Sequence, residues 1–85
     1  MKKKIKKDYS LKERFSWCVQ VTSKYIISDE IKGRKIDSAT IELGYKEFII
    51  QEREINPEIE KIVTLEKFTA EVMSKRNKFF ENCSI

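Results

Sequence analysis

Only three positions in this 85-residue chain hold the strongest turn formers, Gly33, Gly44 and Pro57, and that scarcity limits the fold more than any motif does. A sandwich or barrel of short strands needs a turn signal about every 8–12 residues. Few, long elements are therefore expected. A domain of this size buries only about 60–65% of the surface its unfolded chain exposes, so the core must be small. With 40% hydrophobic and 38% charged residues, the chain is too apolar to remain disordered.

Two helix starts are legible. Ser10-Leu-Lys-Glu13 has the form of a capping box, in which serine and glutamate each satisfy the other's backbone N–H. At 100° per residue, Leu11, Phe15, Cys18, Val19, Thr22, Tyr25 and Ile26 then share a stripe, with Gly33 as a stop. Asn56-Pro57 supplies an N-cap and a proline suited to a first helical position, with Glu58 and Glu60 in the first turn, so a second clear helix is expected from Pro57. Its apolar phase shifts at Thr64, which implies either a break capped by Thr64 or one long helix burying two faces.

The other stretches admit two readings. Phe15, Trp17, Val19 and Val21 alternate with polar residues as a strand would. After a turn over 29–35, capped by Asp37 or Ser38, Ile41, Tyr45, Phe48 and Ile49 share a helical face, yet Gly44 sits where a hairpin could turn. The expected fold is mainly α, a small three- or four-helix domain over 9–85 preceded by a flexible basic tail over 1–8. The alternative is α+β, with a short hairpin around 39–51.

Charge is unevenly spread. The formal net charge is +4, but Lys2, Lys3, Lys4, Lys6 and Lys7 carry five positive charges at the N-terminus, leaving 13 bases against 14 acids in residues 8–85. Residues 37–73 hold nine acids and four bases, a net of −5. A helix-turn-helix reading fails on sign, because the second segment presents mostly acids where a major-groove helix needs bases. Nucleic-acid binding, the alternative function, would rest on the lysine tail gripping phosphates without sequence preference.

Catalysis is not expected. The chain has no histidine, the commonest general base and metal ligand. Two glycines cannot build a phosphate-cradling loop, and Glu52, Glu54, Glu58 and Glu60 match no calcium-loop spacing. No cofactor or metal is anticipated. Cys18 and Cys83 fit no metal or paired-thiol spacing, which suggests a reduced, cytoplasmic setting, although a Cys18–Cys83 disulfide is an open alternative. Acidic and basic residues from Asp8 onward interrupt any apolar export segment, and no run approaches the roughly 20 apolar residues of a membrane span. Richness in Lys, Ile and Glu suggests an AT-rich genome, as in a low-GC bacterium or one of its phages.

What remains is binding. Trp17, beside Val21 at the margin of the first stripe, is either the largest core residue or a partner anchor. Leu43 and Ile50 point away from the second segment's main face, as the other wall of the core or as a homodimer seam. The expected function is a small non-enzymatic regulator or inhibitor, of phage or mobile-element type. It docks an acidic and apolar surface, with Glu47, Glu54 and Glu58 supplying the acid, on a partner protein of cationic surface.

Overall fold

A computed structural model describes residues 9–83; the lysine tail, and the phosphate grip assigned to it, lie outside the described residues. Four helices form: α1 (Leu11–Ile31), α2 (Ser38–Glu52), α3 (Ile59–Ile62) and α4 (Leu65–Asn82). There is no strand among the described residues, so the mainly helical reading holds and both strand alternatives fall.

The ends of the helices follow from side-chain chemistry. Ser10 Oγ accepts from Glu13 N at 3.2 Å while Ser10 N donates to Glu13 Oε1 at 2.9 Å, closing the expected capping box. Gly33, at φ +90°, ends the passage out of α1 in the left-handed region that favours glycine. Asp37 caps α2 by accepting from Ala39 N at 3.0 Å.

The helix expected from Pro57 requires correction. Asn56 Oδ1 accepts from Glu58 N at 3.0 Å, which folds 56–58 into an Asx turn, and α3 starts two residues later than the proline. It lasts four residues. The phase shift at Thr64 is a true break: Thr64 takes extended dihedrals, and its side chain accepts from Lys67 N at 3.1 Å to start α4.

Residue pairings fix the topology. Arg14 near the start of α1 meets Glu52 at the end of α2, so these helices are antiparallel. Phe15 meets Phe68 near the start of α4 and Glu30 meets Arg76 further along it, so α1 and α4 run parallel. The result is an up-down-up bundle with α3 as a one-turn step between α2 and α4.

Its core is contributed by all four helices. Val19, Ile26, Ile41, Phe68 and Val72 form one buried cluster and Phe48, Ile49, Ile59 and Val63 a second. Phe15 bridges them, edge-on to Phe48 at 5.7 Å and to Phe68 at 6.0 Å, the arrangement that brings ring edges against ring faces. Tyr45 donates its hydroxyl proton to the Val63 carbonyl at 2.7 Å, tying α2 to the turn before α4.

Two Arg–carboxylate forks clasp α1. Arg14 Nε and Nη2 donate to the two Glu52 oxygens at 2.6 and 2.9 Å, and Arg76 Nε and Nη2 donate to the two Glu30 oxygens at 2.7 and 2.8 Å. Both are bidentate and partly buried, the geometry in which such pairs are strongest. Arg76 also lies over the Phe80 ring, 4.8 Å from its centre.

Candidate functional site

The helices leave one broad apolar face uncovered. Gly44 lets α2 approach α1 closely: a Cβ at this position would lie 3.2 Å from Thr22 Cγ2 and 3.3 Å from Thr22 Cβ and would collide with Thr22 Oγ1. The close contact defines a seam. Moving round α1 from Thr22, away from α4, the next side chains are Tyr25, Val21 and Trp17, at steps of about 60°, 100° and 140°. Moving round α2 from Gly44 in the same outward sense, they are Glu47, Leu43 and Ile50, at about 60°, 100° and 120°.

All of these are exposed. Trp17 retains 66% of its accessible surface, Tyr25 65%, Ile50 61% and Leu43 59%, with Val21 more modestly exposed. At 1.5 Å rise per residue in antiparallel helices, Trp17 and Ile50 fall at nearly the same height below the Thr22–Gly44 contact, while Leu43 and Val21 flank it. Together they present on the order of 500–600 Å² of apolar surface, the size of the largest patches that monomers tolerate. The whole described surface is 6496 Å², so the patch is close to a tenth of it.

The structure thus decides several open points. Trp17 is exposed rather than core, and Leu43 and Ile50 form an outer wall. Tyr25 is a correction: its place on the apolar stripe suggested core, but it lies on the outer side of the α1–α2 contact because that contact is narrow around Gly44. It joins Trp17 and Val21 at four-residue spacing, a signal present in the sequence but masked by the stripe it also fits.

The acids are less free than a linear count suggests. Glu52 is buried in its fork with Arg14, Glu60 pairs with Arg53 at 2.7 Å, and Glu58 pairs with Lys61 at 3.2 Å. Glu58, at the start of α3, is therefore partly neutralised. Glu47 and Glu54 carry no ion pair among the described residues. Glu47 stands over the seam, and Lys24 and Lys46 sit on the outer shoulders of the two helices.

Beneath the seam lies Cys18. Burial, and then the nearby Glu52 and Glu47 carboxylates, push its thiol up from 9.0 to about 11, the opposite of what a nucleophilic cysteine needs. Cys18 and Cys83 are both free. No group of three or more potential metal ligands occurs among the described residues. No described helix is long and apolar enough to cross a membrane.

The other side of α1 carries a shallow groove of about 460 Å³ against α3 and α4, with Phe15 and Ile62 in its floor and Lys12, Lys67, Glu71 and Lys75 on its rim. Val19 and Val63 in it are buried, while Ile62 is about half exposed and Leu11 and Phe15 are partly so. No family model matches the chain, and neither the curated proteins nor the solved structures yield a match.

Proposed function

We propose that this protein is a small regulator or inhibitor that acts by docking the outer α1–α2 face on a partner protein. The observation that carries the reading is the joint exposure of Trp17, Tyr25, Leu43 and Ile50, which helix geometry sets on the same side of the α1–α2 contact. Large aromatics set in such a patch are the commonest anchors of protein interfaces, because they add contact area at little cost in side-chain entropy. Val21 completes the apolar strip between Trp17 and Tyr25.

The acidic component of the face is Glu47 at the seam and Glu54 at the end of α2, with Glu58 a weaker contributor because Lys61 already pairs with it. A partner would match it with an apolar patch carrying a basic residue opposite Glu47. That charge sets the rate and orientation of encounter more than the affinity.

Capture from a lysate of the source organism tests the reading. Wild-type, Trp17→Ala and Glu47→Lys/Glu54→Lys baits are compared by mass spectrometry. The partner is expected with the wild type, depleted with Trp17→Ala and released at lower salt with the double variant. Equal recovery on all three would place the binding surface elsewhere.

A further inference from the structure

We infer that the outer α1–α2 face also closes on a second copy of the chain, in a two-fold dimer that hides the docking surface until a partner displaces it. The inference rests on the reading of this face as a docking surface and adds a way of regulating it.

Area is the first argument. The apolar patch of about 500–600 Å², with its polar rim, comes to roughly the 800 Å² per partner that a standard stable interface buries. A two-fold contact uses the same patch on both sides, so no second apolar surface is required. In the groove on the opposite side of α1, Val19 and Val63 are buried and Ile62 is the one largely exposed apolar side chain, so it offers a smaller apolar area.

Charge is the second. A charged surface that meets its own copy is favoured when both signs lie near its edge, because unlike charges can then face each other. This one carries both: Lys24 and Lys46 stand on the shoulders, Glu47 and Glu54 on the seam side and at the end of α2. A two-fold rotation can set the lysines of one copy against the glutamates of the other. The shape also suits it, since Trp17 on α1 and Ile50 on α2 are level with each other and can straddle a side chain from the facing copy.

Self-association and docking then compete. A partner that needs the free face binds only the monomer, so its apparent affinity falls as the chain becomes more concentrated.

Sedimentation equilibrium of the chain alone, at moderate salt and over roughly a thousandfold range of concentration, tests the dimer without any partner. The expected result is a rise from the monomer mass of 10.1 kDa toward twice that value. Trp17→Ala and Leu43→Asp should each weaken the dimer by about thirtyfold, with unchanged helical circular dichroism. Lys67→Glu/Lys75→Glu, in the opposite groove, should leave it unchanged. Trp17 emission should shift red on dilution as the indole returns to water.

A chain that stays monomeric throughout overturns the inference, as does a dimer that the groove variant weakens and Trp17→Ala does not. Either result leaves docking on a foreign partner to be judged separately by the bait comparison. Loss of that docking would in turn not restore a dimer that sedimentation fails to find.

Discussion

Gly44→Ala is the substitution whose outcome depends most directly on the geometry described here. On an exposed helix the change gains about 1 kcal/mol of stability, because alanine is the better helix former. At Gly44 the new methyl would meet Thr22, whose Cγ2 and Cβ lie 3.2 and 3.3 Å from the Cβ position and whose Oγ1 lies closer still. Rotating the threonine can move Oγ1 and Cγ2 but not its Cβ, so α1 and α2 must part by a few tenths of an ångström. Overpacking of this kind costs about 1–3 kcal/mol. The collision outweighs the propensity gain, and a net loss of about 1 kcal/mol is expected. For a domain of this size that lowers Tm by about 4–8 °C.

A double-mutant cycle isolates the cause. Thr22→Ala removes Oγ1 and Cγ2, the two atoms nearest the new methyl, and leaves only the Cβ contact at 3.3 Å, so Thr22→Ala/Gly44→Ala should recover part of what Gly44→Ala loses, with a favourable coupling of about 1 kcal/mol. Urea unfolding followed by circular dichroism measures all four corners. A Gly44→Ala variant that gains 4 °C or more, or a coupling near zero, would show that the helices do not approach as closely as the seam requires.

Three further outcomes follow from named side chains. Trp17→Ala should change stability by no more than about 0.5 kcal/mol in thermal melts at concentrations where the chain is monomeric, since an exposed position contributes little to the core, whereas Phe68→Ala should cost about 3–5 kcal/mol and unfold much of the domain. Hydrogen bonds from Arg76, stronger in effect than the opposing burial, hold the Glu30 carboxyl below its ordinary value of 4.5; the fork therefore stabilises the fold above that pH and loses its contribution as pH falls through the lower folded-state value, so urea midpoints measured from about pH 7 down to pH 3 should decline and Glu30→Gln should flatten that part of the decline. With a disulfide-exchange reagent at about pH 8, Cys83 should react quickly and Cys18 slowly, because the Cys18 thiol is held protonated up to about 11; equal rates would show that the α1–α2 seam opens readily.

Local chemistry made much of this fold legible in the sequence. Ser10 and Glu13 announced α1, because capping needs specific atoms at fixed spacing, whereas at Thr64 a break and one long two-faced helix both stayed open until the Thr64 cap on Lys67 N decided for the break. Asn56-Pro57 misled, since the same side-chain oxygen that can cap a helix can equally close an Asx turn, and only the short reach to Ile59 and Val63 in the core decides between them. For Leu43 and Ile50 the sequence left an exposed seam and a second core wall both open, and the structure leaves them exposed. Burial of an element's second face depends on how many neighbours it has, and three long helices leave α2 without one there. The forks at Arg14–Glu52 and Glu30–Arg76 join residues 38 and 46 positions apart, a separation at which residue spacing carries no signal.

Those two forks have a mechanical consequence. They grip α1 near its opposite ends and pull it toward different neighbours, Glu52 of α2 at one end and Arg76 of α4 at the other. A helix held at a single point can roll about its long axis, and a roll of one residue, about 100°, would carry Trp17 a long way round the bundle. A helix held at two separated points, in two directions, cannot roll without breaking a bidentate pair, and partial burial keeps both pairs from being fully screened by salt. The heading of Trp17, Val21 and Tyr25 is therefore set when the chain folds. Any molecule that docks there would meet a surface whose heading is already set, without the entropy cost of finding it.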